Sequence, residues 1–383
     1  MEYITARDGE ERELLRFLNR VFFHNQLVPG FIRMLPKLYK AQYHPCQNNL
    51  IVREGGRLRA AVGLFPMEFY AGGEKLLAAG IGNVAVGKAW RGKGYMKLLM
   101  GQALALSQER GTDFLVLAGQ RQRYQYFGFE NAGGVVAFKV SETNLRHARL
   151  GAADLRAERL RREDAESLAA IHALNETAPL YCTRPSDPAA LWDNLTSWFA
   201  VPYVLRADGA FAGYFIFSRI GQSVGELRLA APHALGGAVP AILAGLKRSK
   251  VTFSVLPAEA ETAAFFSGLC ETMRLSCPNH FHVLNYERVL RAFLRLRAQS
   301  GPLCEGDLTI RINGFLAPET LRVQVRGGEA SVTPTDAAPT VTLEHLEAMR
   351  CFFAPFSPER AALPALAAAW FPLPLEYPYI DTV

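Results

Sequence analysis

At 383 residues, half of them apolar, the chain exceeds what one hydrophobic core usually organises, so two or three domains are expected. Charged residues make up 20% with both signs interspersed, and the net charge of +6 is spread thinly. The densest basic run, 156–162, contains Glu158 and leads into Glu163 and Asp164, which reads as a solvated face and not as a nucleic-acid-binding stripe.

Cys46, Cys182, Cys270, Cys277, Cys304 and Cys351 are dispersed without the close pairs of a zinc or redox motif, so reduced, mostly buried thiols and no metal are expected. The opening Met1-Glu2-Tyr3-Ile4 is not a basic leader, and no apolar run is long enough to span a bilayer. A soluble cytoplasmic protein without a membrane partner is expected.

Between 10 and 23, Leu14, Leu15, Leu18, Val21 and Phe22 recur at three- and four-residue spacing, which predicts a helix with one apolar face. From Asn49 short β-rich runs are punctuated by Glu54-Gly55-Gly56 and Ala71-Gly72-Gly73-Glu74, the turn chemistry of consecutive hairpins. The last strand of this meander, 81–86, leads into a Gly-containing loop, a helix over about 94–110 and a buried strand at 114–118.

A second unit is expected after Leu150. Its strand-turn-strand at 205–213 echoes 52–63, and the order that follows also matches: strand 226–229, helix 239–246, strand 251–256 and an Ala-rich helix to Cys270. The corresponding junction, 231–237, lacks the Arg-Gly-Lys-Gly sequence of the first unit, which predicts a scaffold kept without its chemistry. A third unit begins near Arg288 with an amphipathic helix, then strands at 308–312, 321–325 and 340–343, with a hairpin turn at Gly327-Gly328. Helices are expected at 344–352 and 358–370, before an extended Pro-containing tail, 371–383.

A diphosphate needs backbone N–H groups converging on one place, nearby positive potential and no side chain in the way. Arg91-Gly92-Lys93-Gly94 between a strand and a helix supplies all three. The bland alternative is an ordinary Gly-rich turn. Farther on stands Tyr124-Gln125-Tyr126-Phe127-Gly128-Phe129.

The first stretch resembles motif A of the GNAT acetyltransferases, with Met96 where the family has a small residue, and the second resembles their Tyr-x-x-Phe-Gly-Phe motif. The resemblance implies that the Tyr124 hydroxyl protonates the departing thiolate, consistent with an unperturbed phenol pKa near 10. It leaves Tyr126 as a packing residue. The acetyl-CoA contacts it implies fall on Val84, Ala85 and Val86, on Arg91, Gly92, Lys93, Gly94, Tyr95, Met96 and Lys97, and on Gly119 and Gln120, which stand where the family commonly has a Ser-Glu pair.

A plain GNAT enzyme would be complete by about residue 145. An active unit (1–150), a degenerate GNAT-like unit (151–287) and a unit resembling sterol carrier proteins (288–383) together resemble the Eis family of hexameric acetyltransferases. The fold class implied is α+β: tandem GNAT folds with mixed, mostly antiparallel sheets, then a sterol-carrier-like α/β domain. Members of that family modify amines, including aminoglycosides, and use the C-terminal carboxylate, here that of Val383, as general base.

The expected reaction is direct acetyl transfer to a small-molecule amine with no metal. The alternatives are acetylation of protein lysines or N-termini, and a binding protein that holds a lipid or senses acyl-CoA without turnover. His280 and His282 are read as incidental residues of a strand, and Asp164, Glu166 and Glu176 as solvated.

Overall fold

The computed structural model of the chain describes residues 2–23, 30–151, 154–230 and 235–383. The predicted hairpins close because both central residues of each turn take positive φ: 59° and 71° at Gly55-Gly56, 58° and 83° at Gly72-Gly73, and 60° and 83° at Gly327-Gly328. This is the type I′ geometry, whose twist matches that of the strands it joins.

The first unit opens with β1 (Glu2–Thr5), α1 (Glu11–Phe23) and the short helices α2 (Gly30–Met34) and α3 (Pro36–Tyr39). The antiparallel meander follows as β2 (Asn49–Glu54), β3 (Arg57–Ala71) and β4 (Glu74–Val86). Then come α4 (Tyr95–Glu109), β5 (Phe114–Leu117) parallel to β4, α5 (Arg121–Gln125), β6 (Glu130–Asn131), β7 (Val135–Ser141) and α6 (Glu142–His147). The second unit holds β8 (Leu155–Arg159), α7 (Ala165–Asn175), β9 (Leu180–Cys182), α8 (Pro188–Leu195), β10 (Ala200–Ala207), β11 (Ala210–Ser218) and β12 (Ser223–Leu229). It continues with α9 (Leu235–Leu246), β13 (Lys250–Val255), α10 (Ala260–Leu269), β14 (Thr272–Ser276) and β15 (His280–Val283). Residues 231–234 of the expected strand-to-helix junction lie outside the described residues.

The two sheets interleave. The first has the order β1-β2-β3-β4-β5-β15-β6, with β9 paired to the far end of β3; the second runs β14-β7-β13-β12-β11-β10-β8. Thus β7 leaves the first unit to pair between β13 and β14, and β15 returns to pair between β5 and β6. Each sheet is completed by a strand from the other part of the sequence. The α+β class with mostly antiparallel sheets is the one observed.

The third unit comprises α11 (Tyr286–Gln299), β16 (Gly306–Asn313), β17 (Pro318–Arg326), β18 (Glu329–Pro334), β19 (Val341–Glu344) and α12 (His345–Phe353). The single helix expected over 358–370 is instead a 3₁₀ turn, Pro358–Ala362, and the short α13 (Ala365–Ala368), separated at Leu363-Pro364. Proline disfavours the helical region for the residue before it, which explains the break. Among the described residues no helix is long and apolar enough to cross a membrane. The cysteines are free; three of the six, Cys46, Cys182 and Cys351, are buried and Cys304 is exposed, so burial is less general than expected.

The tail threads three apolar cores. Leu373, Leu375 and Tyr377 join the core shared by the first and third units, Ile380 joins that of the second, and Val383 packs against the core beneath α1 and β3. Each fully buried large apolar side chain contributes roughly 1.5–3 kcal/mol relative to exposure.

Candidate active site

The site begins where β4 and β5 part. They pair only over Ala78–Gly80 and Phe114–Val116, after which β4 runs on to Val86 without β5 beside it. At the parting β4 bulges: Gly82 and Ala85 face Gly63 and Ala61, so Asn83 and Val84 share one position opposite β3. Asn83 takes φ 41°, and its side chain accepts from Tyr39 Oη at 2.6 Å and donates to Asn49 Oδ1 at 2.8 Å. The bulge is therefore held from two sides. Beyond Gly80, β4 runs on through 84–86 with no β5 strand beside it, and Val84 lines the cavity of the site.

Beyond β4, Gly94 takes φ 78° and forms the N-cap of the 15-residue helix α4 without a side-chain cap. The first bond onto the helix runs from Leu98 N to Gly94 O, leaving the N–H groups of Tyr95, Met96 and Lys97 pointing outward. A Cβ at Gly92 or Gly94 would meet nothing within 4 Å, and Arg91, Lys93 and Lys97 are exposed around this opening. These features fit a diphosphate. Tyr95 contributes only backbone, because its ring is buried and its hydroxyl donates to Glu54 Oε2 at 2.6 Å. Gly94→Val is expected to abolish acetyl-CoA binding in a folded protein, since a β-branched residue is strained at positive φ and would fill that space. Titration calorimetry checks it, and unchanged affinity would remove the cradle.

Tyr124 is buried against Gly119, where an added Cβ would overlap its ring. Gly119 is thus a seat for Tyr124, and Gln120 caps α5 with an exposed side chain. Burial pushes the Tyr124 phenol up, partly offset by Arg123, so it is protonated at neutral pH. Tyr126, expected to be packed, is 60% exposed beneath Lys97 Nζ, because it lies on the outer face of the turn.

The histidines of β15 are not incidental. His280 Nε2 donates to Gly119 O at 2.8 Å and His282 Nδ1 to Phe127 O at 2.9 Å, while His345 Nε2 of α12 donates to Gly128 O at 2.8 Å. The second and third parts of the chain thereby brace the segment that carries Tyr124. Burial lowers His345 to about 4 and His282 well below the usual imidazole range, so both act as neutral donors.

From the other side comes the tail. A Cβ at Gly80 would overlap Val383 Cγ2, and one at Gly82 would lie 3.6 Å from the Val383 carbonyl carbon. Lys37 Nζ donates to Ile380 O at 2.7 Å and Trp198 Nε1 to Thr382 O at 3.2 Å. Behind the tail, buried Arg184 makes paired hydrogen bonds to Asp381 (3.1 and 2.8 Å) and to Glu226 (2.9 and 2.7 Å), and Asn194 donates to Asp381. Burial opposes ionisation of Glu226, but Arg184 overrides it and holds that carboxyl at about 2. Arg184→Met should destabilise the fold by about 3–5 kcal/mol, as two buried carboxylates lose their partner. A urea unfolding curve measures it.

Glu376 is fully buried; Asn279 Nδ2 and Tyr377 N donate to its Oε1 at 2.7 and 3.1 Å, and Oε2 has no partner among the described residues. Burial outweighs these donors and pushes the carboxyl from its ordinary 4.5 up to about 7. Its contribution to stability is complete below pH 4.5 and is lost as pH rises through 7. Glu376→Gln is therefore expected to raise Tm at about pH 8 and leave it nearly unchanged at about pH 5, read by scanning calorimetry.

A cavity of about 730 Å³ joins these parts, lined by Val84, Tyr124, Val383, Phe31 and Trp198 among others. Of the expected site residues, the acid Tyr124, the base Val383 and the contact Val84 line this cavity; Ala85, Val86, the 91–97 loop, Gly119 and Gln120 lie outside its lining. On the opposite wall, β12 parts from β13 after Ser223 and Val224, as β4 does from β5, and Tyr379 of the tail lies against Gly225 there. Sequence reading missed Asn83, Arg184, Trp198 and His345. Gly80 and Gly82 within a strand were the available sign of a close approach. No group of three or more His, Cys, Asp or Glu suited to a metal occurs among the described residues.

Residues 2–132 match the acetyltransferase (GNAT) domain family. Comparison with curated proteins finds no match. Among solved structures, a GCN5-related N-acetyltransferase from Anabaena variabilis ATCC 29413 is similar over 100% of both chains, with a TM-score of 0.71 and 18% identity. One from Kribbella flavida is similar over 100% of this chain and 98% of its own (TM-score 0.67, 18% identity), and Eis1 from Mycobacterium abscessus over 97% of each (TM-score 0.67, 15% identity). At these identities the likeness shows the fold. With a split β4–β5 pair, an open helix N-terminus and this domain match in one place, residues 2–132 are a GNAT acetyltransferase domain, and the chain's enzyme class is N-acetyltransferase.

Proposed function

We propose that the chain transfers acetyl from acetyl-CoA to a primary amine of a small molecule, with Tyr124 as acid and the terminal carboxylate of Val383 as base. The observation that carries this reading is that Val383 and Tyr124, remote in sequence, line one cavity at the parting of β4 and β5. The outward N–H groups of 95–97, with Arg91, Gly92, Lys93 and Gly94, hold the diphosphate. The backbone of 84–86 holds the pantetheine arm and polarises the thioester carbonyl.

The ammonium first gives its proton to the Val383 carboxylate, because a protonated amine has no lone pair. The neutral amine then attacks the thioester carbon, the C–N bond forms and the C–S bond breaks. Tyr124 protonates the departing thiolate, the nitrogen of the new amide gives its second proton through solvent to the Tyr124 phenolate, and the Val383 carboxyl releases the first proton to solvent. The second GNAT-like part is a scaffold, a reading supported by Tyr379 lying on Gly225 at its own strand parting. The sterol-carrier-like third part also acts as a scaffold, as its core is continuous with that of the first sheet.

CoA release with and without amines, with products identified by mass spectrometry, tests the reading. Saturable acetyl-CoA binding without transfer to any amine would make the chain a sensor. Light scattering tests the hexamer.

A further inference from the structure

The cavity beyond the thioester site is unusual for an amine acceptor in its charge. None of the described residues lining it is Asp, Glu, Lys, Arg or His. Among the described lining residues the one formal charge is the Val383 carboxylate. The acids behind its walls are already engaged: Asp381 and Glu226 by Arg184, and Asp193 by Lys40 and Tyr43. Glu376 is fully buried behind Asn279.

The walls themselves are aromatic and aliphatic. Phe31 and Tyr39 lie with ring centroids 5.0 Å apart on one side, and Trp198, Ile220, Tyr377 and Tyr379 continue the surface. The polar groups interspersed among them, including Ser218 and Ser254, are neutral.

Resting on the acetyl-transfer reading, we propose that the acceptor carries a single cationic nitrogen on an apolar body, as an alkylamine or arylalkylamine does, and that polycations are poor acceptors. One ammonium finds one carboxylate, which is also its base. A second ammonium entering the cavity would lose its hydration and meet no counter-charge. An apolar body gains from the same walls that exclude it.

The test measures kcat/KM with the full chain and saturating acetyl-CoA for 2-phenylethylamine and hexylamine against spermidine, kanamycin and a lysine-containing peptide. Thiol release and product mass are the readouts. At least about tenfold preference for the two apolar monoamines is expected. Equal or better turnover of a polycation or the peptide overturns the acceptor class while amine acetylation stands. Acetyl-CoA binding by calorimetry with no amine acetylated overturns the transfer reading, and this inference with it.

A second arm uses Ile220→Asp, at the cavity wall and 64% exposed, a substitution the fold should tolerate. The added carboxylate should shift the ratio toward spermidine by about fivefold, the range of one exposed ion pair. An unchanged ratio in a folded variant would place the acceptor elsewhere and overturn the inference.

Discussion

Tyr124→Phe is expected to lower turnover by roughly 10²–10⁴, the usual range for loss of a positioned acid, with acetyl-CoA affinity nearly unchanged. The substitution removes one oxygen and keeps the ring seated on Gly119 and edge-on to Phe129, whose centroid lies 6.4 Å away. Packing is therefore preserved, and the change reports on proton delivery. Tyr126→Phe provides the comparison, because that ring is largely exposed and absent from the cavity lining. Steady-state kinetics beside calorimetric acetyl-CoA affinities separate the two. If Tyr126→Phe cost more than Tyr124→Phe, the donor would have been assigned to the wrong tyrosine.

Amidating the C-terminus by semisynthesis is expected to lower turnover by at least about 10², again with acetyl-CoA affinity retained. Deleting 380–383 is a less decisive experiment. It withdraws Ile380 from the core of the second unit and Asp381 from Arg184, so any loss of activity would mix chemistry with unfolding. Amidation keeps every side chain and removes only the charge. Gly80→Ala gives an independent check, because its methyl group would displace Val383 from β4 while the terminal charge remains. Full activity in the amidated protein would eliminate the carboxylate as base. Asp381 is a poor substitute in that event, since both of its oxygens are held by Arg184 and it is buried.

The sequence by itself determined the parts whose conformation is encoded locally. The Gly-Gly hairpins, the 91–97 loop, the helix after Gly94 and the Tyr124 turn are set by neighbouring residues, because positive φ and a helix start are short-range demands. The apolar tail could also be read as a segment that docks, from its composition alone.

Only the tertiary structure decided what those parts face. That β15 and β7 trade sheets, that three histidines brace residues 119–128, and that Arg184 anchors the tail through Asp381 all depend on pairs more than a hundred positions apart. No periodicity carries such pairings, because they are selected by burial and charge neutralisation once the sheets have formed. The same holds for the cavity: its aromatic residues come from separate helices, strands and the tail, and a lining without Asp, Glu, Lys, Arg or His among the described residues arises only where those elements meet.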